Sequence, residues 1–271
     1  MLEYSMTLFQ ALILGIVQGL SEFLPISSSG HLVLANYHLG WGEHLPLYVD
    51  IATNTGTFIA ALIVLRHQAF QALAGFFAGL FSSEARQQEG WRMALLVIAG
   101  VIPTIILAFS LKPIFEALNQ PLYVSIALII TGLVLWFSPR MGNKRSAKDL
   151  SFMDAILGGL AQGIAIIPGI SRSGITISTM LWRGATGELA AYFSFLMYLV
   201  VSLGVAILGF KDVQAANIEL APVLMMIVAS AVTGYVALIW LFRILKAGKF
   251  RFFAPYLWLI SAITLLRLFL S

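Results

Sequence analysis

The chain has 271 residues, of which 60% are apolar and 10% are charged, and it contains no cysteine. A soluble domain carries about a quarter charged residues, so this composition excludes an ordinary soluble protein and predicts a chain surrounded by lipid. Disulfides and thiol chemistry are excluded as well. The formal net charge of +4 does not indicate nucleic-acid binding, because the basic residues lie in short stretches between long apolar runs.

Six long apolar runs follow one another along the chain. Each approaches the ~20 residues that a helix needs to cross the hydrocarbon, so all six are predicted to span the membrane. Between the first and the second run, residues Gln68–Arg92 predict an interfacial helix and loop with a stripe of phenylalanine and leucine side chains. The six runs are Leu47–Leu65, Met93–Leu111, Pro121–Phe137, Leu189–Phe210, Leu220–Phe242 and Phe253–Leu266.

Residues 11–30 and 155–174 align without a gap as two copies of one motif. Eight columns are identical, and most of the others exchange one apolar residue for another. Because a repeated scaffold fixes geometry, columns in which the copies differ chemically suggest one site built from both halves. Those columns set Glu22 against Ile166 and Ser28 against Arg172, and the column directly after the motif sets His31 against Ile175.

Each copy is predicted to form a re-entrant helical hairpin. The apolar stretches Leu8–Phe23 and Phe152–Ile167 both run into a proline followed by serines, and polar backbone at membrane depth is tolerated only inside protein or along a wet cavity. Three predicted spans separate the hairpins, so the second hairpin enters from the opposite membrane face.

The charge distribution assigns the two faces. Of the 16 Lys and Arg residues, twelve fall on one side, three fall on the other, and Arg172 lies inside the second hairpin. The richer side is predicted to be cytoplasmic. The predicted fold is an all-α polytopic membrane protein with an inverted-topology repeat, six spanning helices and two re-entrant hairpins. It forms one integral domain over residues 1–271, with repeat halves 1–140 and 150–271.

Four ionisable residues lie within these apolar surroundings: Glu22, His31, Asp50 and Arg172. Such residues are costly in a membrane and usually face a cavity or one another. Glu22 and Arg172 belong to different copies and would compensate each other's charge near the midplane. The alternative is a buried ion pair that only joins the two halves.

Hydroxyl groups and glycines surround this pair at two predicted helix starts. Helix starts with free N–H groups bind anions, and an arginine fork matches phosphate oxygens. The alternative interpretation is N-capping, which explains one or two serines in each hairpin but not five of them beside an arginine and a histidine. The predicted phosphate-binding residues are Ser27, Ser29, Ser171, Ser173, Gly174 and Thr176.

The same residues include the groups that phosphoryl transfer needs. Ser28 is a candidate nucleophile, with His31 about one helical turn away as base or proton shuttle. His31 as the nucleophile is an open alternative. Glu22 is a candidate acid/base or metal ligand, and Arg172 would stabilise the charged phosphoryl oxygens.

A second polar face comes from the first predicted span. Asp50 and Asn54 lie one helical turn apart, as do Gln18 and Glu22, and all four are candidate ligands of a divalent cation. Asp50 has the equally weighted alternative of an interfacial helix cap. Gln18 recurs as Gln162 in the second copy, which favours helix–helix hydrogen bonding for that pair.

Two segments together resemble a known family. Residues 18–31, from Gln18-Gly19 to Gly30-His31, resemble the E/Q-x-x-x-E…P-x-S-S-T/S-G-H signature of the bacterial undecaprenyl-pyrophosphate phosphatases, the bacitracin-resistance protein family. Residues 168–176 resemble that family's P-G-x-S-R-S-x-x-T motif. Length, spacing and hydropathy agree along essentially the whole chain.

The resemblance implies a multi-pass enzyme of the bacterial cytoplasmic (inner) membrane that hydrolyses undecaprenyl diphosphate. It further implies recycling of the carrier lipid for peptidoglycan synthesis, bacitracin resistance, a requirement for Mg²⁺ or Ca²⁺, and an active site open to the periplasm. The family's essential positions map onto Glu22, Ser28, His31 and Arg172. The polyprenyl diphosphate and the bilayer are the expected partners, with a homodimer as a further expectation. The alternative function is a polyprenyl-phosphate transporter or flippase, because inverted repeats with broken helices are a transporter architecture.

Overall fold

A computed structural model describes residues 6–41, 45–140, 145–215 and 219–270, with the backbone alone for residues 112, 116 and 208–215. This part of the chain folds into α-helices joined by turns and short 3₁₀ segments, with no β-strand. The predicted all-α class is confirmed. The helices are α1 Leu8–Phe23, α2 Ser28–Leu39, α3 Leu47–Val64, α4 Arg66–Phe81, α5 Glu89–Leu118, α6 Pro121–Phe137, α7 Phe152–Ile164, α8 Arg172–Trp182, α9 Gly187–Ala215, α10 Leu220–Lys246 and α11 Ala254–Leu270.

Among the described residues, five helical segments are long and apolar enough to cross a membrane, within α3, α5, α9, α10 and the α11 region. The sixth predicted span, α6, begins and ends at the predicted residues and is a shorter apolar helix of 17 residues. The chain is therefore a multi-pass membrane protein. The count of six spans, the division into halves 1–140 and 150–271, and the cytoplasmic side stay predictions.

Helix α4 corresponds to the predicted interfacial segment. Its side chains Phe70, Phe77 and Phe81 are exposed, while Gly75 and Gly79 lie against the start of α5. An added Cβ at Gly75 would stand 2.6 Å from the backbone of Gly90, so only glycine permits this approach. The helix is confirmed, and its position at a membrane surface stays a prediction.

The first helix of each motif copy starts in the same way. Thr7 accepts a hydrogen bond from the backbone N–H of Gln10 at 3.2 Å, and Gln10 accepts one from that of Thr7 at 2.9 Å. Ser151 and Asp154 form the same reciprocal pair at 3.1 and 2.8 Å. These are capping boxes, and they extend the repeat four residues before residues 11 and 155.

Asp154 has a second function that Gln10 lacks. Its carboxylate is fully buried and pairs with Arg145 at 2.9 Å and with Arg183 at 2.5 Å. The two arginines come from the segments before α7 and after α8. The network therefore ties both ends of the second hairpin together at the face that the charge distribution predicts to be cytoplasmic.

Repeated glycines bring the first helix of each copy close to a spanning helix. A Cβ at Gly15 would lie 2.7 Å from the Cβ of Ala229 in α10, and one at Gly163 would lie 2.7 Å from the Cβ of Leu107 in α5. Small residues permit such contacts in membranes, where close van der Waals packing replaces the hydrophobic effect between helices. Helix α1 thus packs along α10, and α7 packs along α5.

Helix directions show how the first hairpin is arranged. The order of the glycine contacts makes α1 parallel to α10. Helix α2 is parallel to α11, because His31 bonds to Tyr256 near the start of α11 and His38 bonds to Thr264 further along. Consecutive spanning helices such as α10 and α11 run in opposite directions, so α1 and α2 also run in opposite directions. A re-entrant hairpin requires these directions, and the re-entry itself stays a prediction.

The second hairpin follows α5 and α6 in the same manner. Ser171 at the start of α8 donates to Thr131 in α6, and Trp182 at the end of α8 donates to the carbonyl of Phe137 at the end of α6. Helix α8 therefore runs parallel to α6, which is the direction that an inverted repeat requires. The membrane faces on which the two hairpins open stay predictions.

Candidate active site

The first hairpin breaks at an unusual backbone conformation of Ser27. Pro25 ends the helical path, since the residue before a proline is biased to extended backbone. Ser27 has φ of 70°, and no other described residue except glycine has positive φ. Its side chain accepts hydrogen bonds from the backbone N–H groups of Gly30 at 3.3 Å and of Gly169, in the other hairpin, at 3.1 Å. The left-handed conformation costs roughly 1–3 kcal/mol and persists only where surrounding contacts fix it.

The second hairpin breaks directly beside the first. Gly169 has φ of 94°, and a Cβ there would lie 2.6 Å from the carbonyl oxygen of Val124, so no other residue fits this turn. Ser171 caps α8 by accepting from the N–H of Gly174 at 3.1 Å. Ser173 donates to the carbonyl of Leu24 at 3.2 Å. The predicted meeting of the two motif copies is thus observed.

Glu22 is the centre of the polar contacts between the hairpins. It forms an ion pair with Arg172 and accepts a hydrogen bond from the hydroxyl of Ser28. The side-chain amide of Gln18 donates to the same carboxylate at 2.8 Å. The side chain of Glu22 is 7% exposed and that of Arg172 is 19% exposed. The structure therefore brings together three of the four predicted catalytic residues.

Arg172 is held from a second side by an aromatic ring. Its guanidinium carbon lies 3.9 Å from the ring centroid of Tyr198, a cation–π distance. Tyr198 is buried and donates its hydroxyl proton to Thr57 at 3.0 Å. Sequence reasoning missed Tyr198, because it lies in an apolar helix with no motif around it.

His31 is placed differently from the prediction. Its Nδ1 lies 2.8 Å from the carbonyl oxygen of Ser27, and its Nε2 lies 2.8 Å from the hydroxyl of Tyr256. Both ring nitrogens are therefore occupied, and among the described contacts none joins His31 to Ser28. The hydroxyl of Ser28 is directed to Glu22 instead, so the geometry does not support His31 as the base for Ser28.

The predicted metal-side residues form a connected group. Gln18 donates to the side-chain oxygen of Asn54 at 3.3 Å, and Asn54 donates to the backbone carbonyl of Asp50 at 2.9 Å. Two carboxylates and two amide oxygens are hard donors of the kind that Mg²⁺ and Ca²⁺ prefer. The donor set fits such a cation by its chemistry, although the described residues hold no cluster of three or more carboxylate, histidine or cysteine ligands.

The polar residues of the second copy have different environments. Gln162 and Thr176 are buried, and their side-chain polar atoms have no hydrogen-bond partner among the described residues. The helix–helix hydrogen bond predicted for the glutamine pair is therefore present for Gln18, which reaches α3, and not observed for Gln162. The backbone N–H of Gly174 is used within its own hairpin, where it donates to Ser171.

A cavity of about 340 Å³, here called the polar cavity, lies at the hairpin breaks. It brings nine of the predicted residues onto one surface. Ser173, Gly174, Thr176 and His31 are absent from its wall. The predicted residues that line it are Gln18, Glu22, Ser27, Ser28, Ser29, Asp50, Asn54, Ser171 and Arg172.

A larger apolar groove of about 610 Å³ adjoins the polar cavity between α3, α5 and α9. Asp50, Asn54, Phe115 and Val205 line both spaces. The remaining wall of the groove is mostly aliphatic and aromatic, with Leu47, Ile51, Phe58, Ile59, Leu203 and Ala206 among its residues. A ligand that fits both spaces has an anionic polar head and an apolar tail.

Fold and site together define a class: a polytopic membrane protein with a polar, serine- and arginine-lined cavity that opens onto an apolar groove. Comparison with known sequences agrees with this class. The family model for the bacitracin resistance protein BacA matches residues 11–263. The chain belongs to this family.

Three related proteins carry the same name. An undecaprenyl-diphosphatase of Acaryochloris marina is 71% identical over 262 residues, covering 97% of this chain and 98% of the relative. The undecaprenyl-diphosphatase of Carboxydothermus hydrogenoformans is 39% identical and covers 94% of this chain and 95% of its own length. That of Alkaliphilus metalliredigens is 37% identical, with coverage of 96% and 98%. The predicted family is confirmed.

Proposed function

We propose that this protein is an undecaprenyl-diphosphate phosphatase that releases undecaprenyl phosphate and inorganic phosphate. Such hydrolysis recycles the carrier lipid for peptidoglycan synthesis and gives bacitracin resistance. The observation that carries the proposal is the contact between Ser28, Glu22 and Arg172 in a cavity continuous with the apolar groove. The names of the relatives favour the same activity.

Ser28 is the nucleophile in this proposal, and Glu22 is its base. As the Ser28 oxygen attacks the terminal phosphorus, its proton passes to the Glu22 carboxylate, to which it is already hydrogen-bonded. The bond to the bridging oxygen breaks, and undecaprenyl phosphate leaves with the proton from Glu22. Water then attacks the phosphoserine, gives one proton to Glu22, and releases phosphate as Ser28 is reprotonated.

Arg172 supplies the positive charge that the transition state needs. Among the described residues, one of its five N–H donors is used on Glu22, which leaves donors for phosphoryl oxygens. Its contact with the Tyr198 ring and its ion pair with Glu22 hold the guanidinium from two sides. A donor fixed before the reaction stabilises developing charge without reorganisation.

A divalent cation, Mg²⁺ or Ca²⁺, is part of the proposal. Glu22, Asp50, Asn54 and Gln18 would hold it, and it would neutralise charge on the diphosphate. Asp50 is the best placed of these, because it lines both spaces and its carboxylate has no hydrogen bond within the described residues.

The proposed location is the bacterial cytoplasmic membrane, with the polar cavity open to the periplasm. The distribution of Lys and Arg supports this orientation. A homodimer stays a prediction. Transport of a polyprenyl phosphate is not favoured over hydrolysis. No contact among the described residues points to transport rather than hydrolysis, and the relatives are named as diphosphatases.

Phosphate release by the purified protein tests the proposal. In detergent with Mg²⁺, the wild-type protein is expected to release phosphate from farnesyl or undecaprenyl diphosphate, and Ser28→Ala is expected to lower kcat at least about 10³-fold. A protein that moves the lipid across vesicle membranes without releasing phosphate would overturn the enzyme assignment. Activity retained by Ser28→Ala would overturn only the role of Ser28.

A further inference from the structure

The geometry points to Tyr256 as a positioning residue for the reaction: it fixes the proton of His31, and His31 in turn fixes the strained Ser27 that precedes the nucleophile. This inference rests on the role proposed for Ser28. No sequence motif surrounds Tyr256, which lies 225 residues away from its partner.

The hydrogen bonds determine which nitrogen of His31 carries the proton. A carbonyl oxygen can only accept, so Nδ1 donates to the carbonyl of Ser27 at 2.8 Å. In the neutral ring Nε2 is then an acceptor, and the hydroxyl of Tyr256 donates to it at 2.8 Å. The two rings also stack, with centroids 5.6 Å apart and an angle of 16° between their planes.

The carbonyl of Ser27 is the point at which this chain of contacts acts. It accepts from the backbone N–H of His31 at 3.0 Å as well as from the ring. Together with the bonds from Gly30 and Gly169 to the Ser27 side chain, these contacts hold the φ of 70°. Strained residues persist where their surroundings over-determine them.

The strain matters because Ser27 and Ser28 share a peptide unit. The conformation of Ser27 sets the direction in which α2 starts, and therefore where the Ser28 hydroxyl lies relative to Glu22. If Ser27 relaxes to ordinary backbone, that hydroxyl moves away from its base. Misplacement of a reacting group by about 1 Å can cost up to 10²-fold in rate.

A structural explanation of Tyr256 also exists. Tyrosines are common near the ends of spanning helices, where the hydroxyl reaches the interface. Tyr256 lies near the start of α11, but its hydroxyl is directed to a buried histidine rather than outward. Tyr235 in α10 is the matched case, since both tyrosines are 42% exposed and no hydrogen bond of the Tyr235 hydroxyl is found among the described residues.

The first test removes the hydroxyl and keeps the ring. With farnesyl diphosphate and Mg²⁺ in detergent, Tyr256→Phe is expected to lower kcat about 3–10-fold, the equivalent of one neutral hydrogen bond, while KM stays unchanged. Tyr235→Phe is expected to have the kcat and the KM of the wild type. A Tyr256→Phe variant with wild-type kcat, or with the whole effect in KM, overturns the inference.

The second test separates positioning by His31 from chemistry by His31. The side-chain nitrogen of asparagine matches Nδ1 and can still donate to Ser27, whereas that of glutamine matches Nε2. His31→Asn is therefore expected to retain at least about ten times the kcat of His31→Gln. Adding Tyr256→Phe to His31→Asn should change nothing further, because the link between them is already broken.

Two outcomes distinguish the possible failures. If His31→Asn and His31→Gln are both as inactive as Ser28→Ala, while circular dichroism and melting show folded protein, His31 takes part in the chemistry and the positioning role is wrong. If Ser28→Ala itself remains active, the proposed mechanism fails, whatever Tyr256→Phe shows.

Discussion

Glu22→Gln tests the assignment of the base while it changes the site as little as possible. The carboxylate of Glu22 accepts from Ser28, Gln18 and Arg172. An amide of the same shape has one accepting oxygen, and its nitrogen would face a donor. The substitution therefore removes the proton acceptor and at least one charge-assisted hydrogen bond, without creating a cavity.

The expected loss has two parts that different measurements resolve. Loss of a general base lowers kcat by about 10²–10⁴-fold. Loss of the ionic partner of Arg172 lowers the free energy of unfolding by about 1–3 kcal/mol, below the value for a fully buried pair, because Arg172 is 19% exposed. Phosphate release from farnesyl diphosphate measures the first part, and thermal melting in detergent measures the second.

Asp154→Asn is the matched control. Asp154 is another buried carboxylate paired with arginines, yet it lies at the opposite end of the second hairpin from the polar cavity. We expect it to lower stability at least as much as Glu22→Gln and to leave kcat within about twofold of wild type. If Glu22→Gln keeps more than a tenth of the wild-type kcat, Glu22 is not the base. Equal loss of kcat in both variants would mean that destabilisation alone causes it.

Three further variants examine other parts of the site. Arg172→Lys replaces the planar guanidinium fork with a point charge and is expected to lower kcat/KM about 10–100-fold in the same assay. A wild-type kcat/KM would show that the guanidinium fork is not needed. Gln18→Glu places a second carboxylate beside Glu22. In EDTA this variant should therefore have a lower melting temperature than wild type, and adding Mg²⁺ should raise that temperature again while the variant stays active. A melting temperature that does not change with Mg²⁺ would count against a cation at this position. Ala206→Trp narrows the apolar groove and is expected to raise KM for farnesyl diphosphate several-fold at unchanged kcat, whereas Val236→Trp, on an exposed face of α10, should not. Equal KM in both tryptophan variants would place the lipid tail elsewhere.

Much of the fold was predictable because each signal is local. Capping residues, prolines and apolar length define where a membrane helix begins and ends, and α6 agrees with the predicted Pro121–Phe137 at both ends. The repeat predicted the pairing of Glu22 with Arg172, since inverted copies of one hairpin bring their breaks together near the midplane.

The orientation of individual side chains was not predictable from spacing. His31 stands three residues after Ser28, which suggested a nucleophile and its base, but the ring turns to Ser27 and Tyr256. Both residues lie in α2, so the helical spacing holds, but the hydroxyl of Ser28 is directed to Glu22 and the ring of His31 to other partners. Spacing along a helix places two residues on one face, and it does not determine which tertiary partner each side chain meets.

Sequence alone determined the membrane class, the two broken hairpins, the family and most residues of the polar cavity, because composition, periodicity and motifs record local chemistry. Tertiary structure decided which groups meet. It put the hydroxyl of Ser28 on Glu22, placed Arg172 over Tyr198, and brought Tyr256 to His31 across the fold. These contacts join residues far apart in the chain, and they depend on helix packing that no single segment encodes.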